Sequence, residues 1–165
     1  MYLTRKPINV SDVIASPVGA KQSQEIASPA CQPPRNDEQS FRSGASVLFL
    51  GTVRNHSEGR EVLYLEYEAY EAIAERMIEE SVKSAFEKWR LEDVKLLHRL
   101  GCVELGEIAV AIEVRSAHRD EAYQASRYLI EKIKHKVPIW KKEHFEDGTS
   151  EWSLCPSHVE LRASA

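Results

Sequence analysis

Residues 132–143 read Lys-Ile-Lys-His-Lys-Val-Pro-Ile-Trp-Lys-Lys-Glu. A helical pattern ends here, because Pro138 cannot continue a helix and its ring pushes Val137 towards extended backbone. We therefore predict Lys134 in the last helical turn and Lys141 in the segment that follows, so that two amines can converge on one pocket. The alternative is a solvent-exposed basic helix end, where positive charge is favourable at the negative pole of the helix dipole.

The helix that leads into this stretch is predicted over residues 117–135. Ser116 is placed as its N-cap, and Asp120 and Glu121 fall in its first turn, where carboxylates are favourable. Its expected buried face consists of Ala122, Ala125, Ser126, Leu129, Ile130 and Ile133. After the proline, Ile139-Trp140 and Glu151-Trp152 flank the turn residues Glu146-Asp147-Gly148, which predicts a short terminal hairpin.

A second amphipathic helix is predicted over residues 70–89, since apolar residues recur there at helical spacing and the acidic and basic residues fill the other positions. Its expected buried face consists of Ile73, Ala74, Met77, Ile78, Ser81, Val82, Ala85, Phe86 and Trp89.

Short alternating or apolar runs predict strands in the remaining ordered parts, with a helical turn opened by Ser11 or Asp12 after the first. The predicted strands cover residues 1–10, 47–54, 62–68, 93–100 and 108–115. Turn chemistry in residues 55–59 predicts that the second and third strands form a hairpin. In the last strand, alternation assigns Val110 and Ile112 to an apolar face and Glu113 to the other. The order of elements predicts an α+β fold, with a sheet against which the two amphipathic helices pack.

The chain of 165 residues fits one domain of ordinary size. Residues 16–43 differ in character, because four of the seven prolines fall there among Ser, Gln and Asn. Such a segment buries too little apolar surface to offset its ordering entropy, so we predict a polar, flexible insert. The predicted divisions are an N-terminal strand and helical turn (1–15), the insert (16–43), a catalytic core (44–153) and a C-terminal tail (154–165).

Composition excludes several classes of protein. A net charge of -4 gives no general attraction to nucleic acid or anionic membranes. No run approaches the roughly 18 apolar residues of a membrane span, and the N-terminus lacks the apolar core of a signal peptide, so we predict a cytoplasmic protein. Cys31, Cys102 and Cys155 are odd in number and widely spaced, which favours reduced thiols. No zinc, P-loop or dinucleotide motif occurs, and we predict no cofactor and no metal.

Two candidate anion sites stand out. His118 and Arg119 lie at the predicted start of the last helix, where unpaired N–H groups and a guanidinium together can bind phosphate or carboxylate. Arg54 ends a strand beside the loop of residues 55–59 and can also reach an anion. The alternatives are an ordinary capped helix with two polar surface residues and an ordinary exposed arginine.

The third candidate is the pair of Lys134 and Lys141. Amine catalysis needs a lysine whose pKa lies below its usual value, and burial or a nearby cation lowers it. Lys134 borders the predicted buried face, and neighbouring lysines supply like charge. Glu143 could instead pair with one of the two amines and keep it protonated.

Several sequence blocks occur together and in order. They are Gly44-Ala45, Phe49-Leu50-Gly51-Thr52-Val53-Arg54-Asn55, Leu65-Glu66-Tyr67-Glu68-Ala69-Tyr70, His98-Arg99-Leu100-Gly101, Ser116-Ala117-His118-Arg119, and Lys134 through Pro138-Ile139-Trp140-Lys141-Lys142-Glu143. With these blocks the chain resembles the large, catalytic subunit of molybdopterin synthase over about residues 44–153. Residues 16–43 depart from the family pattern, in which a much shorter link precedes Gly-Ala.

The resemblance implies an α/β hammerhead-like fold with an extra β subdomain and a sulfur-transfer enzyme of molybdenum cofactor biosynthesis. The family converts cyclic pyranopterin monophosphate (precursor Z) into molybdopterin by installing a dithiolene. Sulfur arrives as a thiocarboxylate on the C-terminal glycine of a small ubiquitin-like subunit. The implied assembly is a heterotetramer with a central homodimer of large subunits.

The resemblance also implies residue roles. Lys134 and Lys141 become the catalytic amines, Phe49 lines the pocket, and Arg54, His118 and Arg119 bind the substrate phosphate, the last two from the neighbouring large subunit. Strand alternation places Phe49 and Arg54 on opposite faces, so a bulge at Gly51 or a turn before Arg54 is required. The competing hypothesis is a non-enzymatic nucleic-acid-binding or scaffold module that uses the basic residues of 132–142.

Overall fold

The computed structural model describes residues 1–14 and 42–153. Nearly all of the predicted insert (16–43), the tail (154–165), Cys31 and Cys155 lie outside the described residues. The elements in chain order are β1 (Leu3–Thr4), α1 (Val10–Val13), β2 (Ala45–Thr52), β3 (His56–Ser57), β4 (Arg60–Ala69), α2 (Glu71–Lys88), β5 (Leu91–Arg99), β6 (Gly101–Glu104), β7 (Ile108–Ser116), α3 (Arg119–Lys136), β8 (Ile139–Phe145) and β9 (Ser150–Ser153).

The strands form two sheets. The first has four strands in the order β1-β5-β7-β2, with β1 parallel to β5 and the other pairs antiparallel. The second has the order β3-β4-β8-β9, and β6 adds to it by pairing with β4. One mixed and one antiparallel sheet, with the two long helices packed on the first, confirm the predicted α+β class. The strand β6 was not predicted, because it is short and lies between two turn glycines.

The main core lies between the four-stranded sheet and the two long helices. Ile78 of α2 and Leu129 of α3 are fully buried there, together with Ile112 and Val114 of β7. On the opposite face of the sheet, Val13 of α1 packs near β7 in a smaller cluster. All six residues predicted for the buried face of α3 are buried, which confirms that prediction.

The predicted buried face of α2 is only partly right. Ala74, Ile78, Val82 and Ala85 are buried, but Ile73 and Phe86 are 46% and 43% exposed. At about 100° per residue, these two side chains fall at opposite edges of the apolar stripe, where the sheet and α3 do not cover them.

Strand β7 shows why alternation was misleading for Glu113. Because β7 has neighbours on both edges and groups packed on both faces, Glu113 is only 3% exposed although its alternation assigned it to a polar face. Its carboxylate accepts a hydrogen bond of 2.8 Å from the Ser46 hydroxyl, and Lys95 is its partner in the β5–β7 register. A buried carboxylate in a sheet needs such partners, since an unpaired charge there is costly.

The predicted hairpin across residues 55–59 is wrong as a pairing of the second and third strands. Strand β2 pairs with β7 in the first sheet, whereas β4 pairs with β6 and β8 in the second. Only the two-residue β3 turns back on β4, through Glu58 and Gly59, which both have positive φ. Local alternation identified the strands, but the partner of each strand depends on distant apolar residues.

The predicted N-cap of α3 is also wrong. The helix begins at Arg119, its N-cap is His118, and Ser116 is the last residue of β7. Ser116 is fully buried, and its hydroxyl donates to the carbonyl of His118. The strand therefore ends one residue later than predicted, and the helix begins two residues later.

The predicted end of α3 is confirmed. The helix ends at Lys136, and Val137 is extended with φ -78° and ψ 132°, as expected before proline. The predicted terminal hairpin is confirmed as β8 and β9. Within the described residues, none of the helices is both long and apolar enough to cross a bilayer.

Candidate active site

Lys134 and Lys141 line the same cavity, as the sequence predicts for two amines on either side of Pro138. The cavity has a volume of about 440 Å³ and lies between the C-terminal turn of α3 and strands of both sheets. Its lining consists of Tyr67, His98, Val110, Ile130, Glu131, Ile133, Lys134, His135, Ile139, Lys141 and Ser153. We call it the lysine cavity.

Lys141 is held by Glu143. The two side chains lie on the same side of β8, and Lys141 Nζ is 2.7 Å from Glu143 Oε1. Burial opposes ionisation of Glu143, but hydrogen bonds from Lys141 and Ser57 and the nearby charge of Arg54 outweigh it and hold its pKa below the usual range. An ionised, mostly buried carboxylate therefore fixes the position of the Lys141 amine.

Phe49 lies beside the lysine cavity rather than in it. It lines a neighbouring groove of about 600 Å³ between β2 and α3, and the two spaces share Ile130 and Glu131. Of the two alternatives predicted here, a bulge at Gly51 or a turn before Arg54, the β2–β7 register shows an irregularity between Gly51 and Thr52. That Phe49 and Arg54 act in one site stays a prediction. A Cβ at Gly51 would lie 2.7 Å from Val110 Cγ1, so only glycine fits where β2 passes the cavity wall.

His118 and Arg119 do not reach the lysine cavity of their own chain. Both are exposed at the start of α3, whereas Lys134 lies in its last turn. Lys134 follows Arg119 by 15 positions, which corresponds to about 22 Å along the helix at roughly 1.5 Å per residue. The structure of one chain therefore separates the predicted site residues into two groups at opposite ends of α3.

Tyr67 and His98 are among the cavity residues that received no role from the sequence. Tyr67 is the partner of Lys141 in the β4–β8 register, and burial, aided by the charge of Glu143, raises its pKa to about 12. Its ring meets that of His98 edge-on, with centroids 5.1 Å apart. Both stand in the sequence blocks that carry the family resemblance, which was the available signal. A lone histidine or tyrosine in a strand otherwise indicates only packing.

His98 is the most strongly perturbed histidine of the described residues. Burial lowers its pKa to about 4, although the hydrogen bond to the Arg99 carbonyl partly opposes this shift. Its Nδ1 lies 2.9 Å from that carbonyl oxygen, which can only accept, so Nδ1 carries the proton of the neutral ring.

This burial predicts a pH dependence of stability. The unfolded chain protonates His98 near the ordinary pKa of about 6.5, whereas the folded chain resists protonation until about pH 4. Between these values the unfolded state binds the extra proton, so the free energy of unfolding falls as the pH is lowered. We expect His98→Gln to lack this component, measured as the difference between wild-type and variant urea unfolding from pH 7 to pH 4. A difference that does not change with pH would contradict the assignment.

The other lysines of residues 132–143 have separate environments. Lys132 lies over the Tyr128 ring and Lys142 over the Trp152 ring, at 5.3 and 5.7 Å from the centroids. Lys136 is exposed. With Lys141 paired to Glu143, the cations form no continuous basic face of the kind that a nucleic-acid backbone requires.

Comparisons with known proteins agree on one family. A family model described as MoaE protein matches residues 21–136. Curated relatives named molybdopterin synthase catalytic subunit include that of Halalkalibacterium halodurans, 47% identical over 106 residues (64% of this chain, 68% of the relative), and that of Rattus norvegicus, 40% identical over 152 residues (92% and 66%).

Solved structures give the same result. The molybdopterin synthase crystal structure from Staphylococcus aureus matches with a TM-score of 0.72 and 34% identity, covering 93% of this chain and 96% of that one. A Helicobacter pylori complex of subunits 1 and 2 of molybdopterin-converting factor matches with a TM-score of 0.59 and 25% identity, covering 70% and 75%.

Proposed function

The chain belongs to the MoaE family of molybdopterin synthase catalytic subunits, and we propose that it forms the molybdopterin dithiolene by transferring sulfur to precursor Z. The sulfur donor is the thiocarboxylated C-terminus of a small ubiquitin-like subunit. The observation that carries this proposal is the lysine cavity, in which Lys134 and Lys141 meet from different elements. An extended peptide tail and a small heterocycle both suit a partly enclosed space of this size.

The two amines take different roles in this proposal. Lys134 positions the incoming tail and assists attack by its sulfur, while Lys141 acts as general acid and base when the cyclic phosphate opens and water leaves. The pairing of Lys141 with the mostly buried Glu143 supports this assignment, because a proton-transfer group has to be held in a defined position. Lys134 lies in the last turn of α3 and is exposed.

The phosphate of precursor Z is bound by Arg54, His118 and Arg119 in this proposal. Arg54 lies close enough to Glu143, the partner of Lys141, for its charge to lower the pKa of Glu143, and this supports the assignment. His118 and Arg119 are too far along α3 to serve the cavity of their own chain. We therefore propose that they complete the site of a second large subunit in a homodimer, with one small subunit bound to each copy. A cytoplasmic location stays a prediction.

Subunit mixing tests the shared site. We expect Lys134→Ala and Arg119→Ala each to be inactive at low substrate concentration, and an equimolar mixture to recover roughly a quarter of wild-type activity once the dimers exchange subunits. In a mixed dimer one cavity has an intact Lys134 and receives an intact Arg119 from its neighbour. The control is the double variant mixed with wild type, whose mixed dimers contain no complete site. Failure of the first mixture to regain activity, with exchange verified by mass spectrometry, would place Arg119 in its own subunit's site.

The function itself is tested by reconstitution. The purified chain is mixed with precursor Z and a small subunit that carries either a C-terminal thiocarboxylate or an ordinary carboxylate, and molybdopterin is measured as its fluorescent oxidation product. We expect product only in the reaction that contains the thiocarboxylated small subunit. Absence of product, although the small subunit binds, would refute the proposed activity.

A further inference from the structure

His98 occupies a wall of the lysine cavity, in the middle of the molecule. It lies on β5, where its register partners are Leu3 of β1 and Val110 of β7. Its side chain is 5% exposed, and its ring meets Tyr67 edge-on at an interplanar angle of 75°. Strand pairing on both sides and the Tyr67 contact hold the imidazole in one orientation.

The imidazole offers a hydrogen-bond acceptor to the cavity. Since Nδ1 donates to the Arg99 carbonyl, Nε2 of the neutral ring carries a lone pair. None of the residues in 1–14 and 42–153 donates a hydrogen bond to Nε2, and this nitrogen is not sealed inside the protein. Burial lowers the pKa of His98 to about 4, so the acceptor persists at neutral pH.

Two cations, Lys134 and Lys141, line the same space as His98, and the Lys141 amine is engaged by Glu143. The cavity's carboxylate, Glu131, lies 2.9 Å from Nε2 of His135. These cations attract the anionic part of a ligand but do not orient its N–H groups. A neutral acceptor at a fixed place in such a cavity discriminates strongly, because a ligand without the matching donor leaves a desolvated acceptor unpaired.

We propose that His98 is a substrate-binding residue whose Nε2 accepts a hydrogen bond from an N–H group of the ligand in the lysine cavity. This inference rests on the proposed function, which supplies two ligands with such groups. One is the ring system of precursor Z, and the other is the peptide backbone of the small subunit's C-terminal tail. Both present the same chemistry, an N–H donor next to an anionic group.

The test compares His98→Phe, which keeps an aromatic ring against Tyr67 but removes the acceptor, with His98→Gln, which keeps an acceptor. Binding of precursor Z alone and of the small subunit alone is measured by calorimetry for both variants and wild type. We expect His98→Phe to lower the affinity for one of the two ligands about tenfold. His98→Gln is expected to keep most of the wild-type affinity for that ligand. Weaker binding of precursor Z assigns the donor to the pterin, and weaker binding of the small subunit assigns it to the tail.

Unchanged affinity of His98→Phe for both ligands would overturn the inference. If wild type itself binds neither ligand, the proposed function fails instead, so the two failures are distinguishable. A second measurement uses only wild-type protein, so it tests the inference even if a His98 variant does not fold. In protein labelled with ¹⁵N-histidine, the Nε2 resonance of His98 is expected to move towards the position of a hydrogen-bonded nitrogen when one ligand is added. A resonance that stays in place at saturation with each ligand would likewise overturn the inference.

Discussion

Lys134→Ala is expected to lower dithiolene formation at saturating substrate by at least about 100-fold, the range of a lost proton-transfer or positioning group. The side chain is exposed at the rim of the lysine cavity and is not part of the hydrophobic core. We therefore expect the variant to keep its thermal midpoint and still to bind the small subunit. The measurement is molybdopterin formed in the two-subunit reaction with thiocarboxylated small subunit.

The matched control is Lys136→Ala. Lys136 lies in the same last turn of α3 and is also exposed, but it does not line the lysine cavity. Both substitutions remove one positive charge from the same helix end, so general electrostatic effects on the helix dipole or on partner association cancel in the comparison. Near-normal molybdopterin formation by Lys134→Ala, or equal losses of activity in both variants, would contradict a catalytic role for Lys134.

Ile78→Ala is expected to have the largest effect on stability, a loss of about 2–5 kcal/mol in the free energy of unfolding. Ile78 is fully buried in the main core between α2 and the four-stranded sheet. The substitution removes buried apolar surface and leaves a cavity that the surrounding helices and sheet can only partly close. Urea unfolding monitored by circular dichroism gives the difference directly.

Ile73→Ala on the same helix is the control. It has the same chemistry and the same gain in helix propensity, but Ile73 is 46% exposed at the edge of the apolar stripe. We expect it to cost less than about 1 kcal/mol, as is usual away from the core. Similar losses for the two variants would mean that Ile73 is covered by another surface in the assembled protein.

Local patterns predicted the elements well. The apolar spacing of α3 identified all six of its buried residues, and Pro138 determined the end of the helix and the extended backbone at Val137. These features depend on neighbours within a few residues, namely the helical period and the geometry of the proline ring. The irregularity at Gly51 was one of two alternatives that strand alternation left open, the other being a turn before Arg54.

The pairing of strands that are distant in the sequence could not be predicted from local patterns. The sequence identified β2 and β4 as strands, but the turn residues 55–59 between them wrongly predicted that the two strands pair with each other. An alternating pattern predicts Glu113 as a surface residue, but β7 is covered on both faces and Glu113 is buried. Ser46 and the register with Lys95 provide the partners that a buried carboxylate needs. Ser116 reads as a helix cap, yet it completes β7. In each case the decisive contacts come from residues far away in the sequence.

The candidate site divides in the same way. The sequence by itself determined that Lys134 and Lys141 stand on either side of a helix end and, through the resemblance, that this chain is a member of a sulfur-transfer family. Only the tertiary structure decided that both amines share one cavity with Tyr67 and His98, that Glu143 holds Lys141, and that Arg119 lies about 22 Å from Lys134 along α3. The physical reason is that helix ends follow from local backbone sterics, whereas a cavity exists only where strands and helices distant in the sequence pack together.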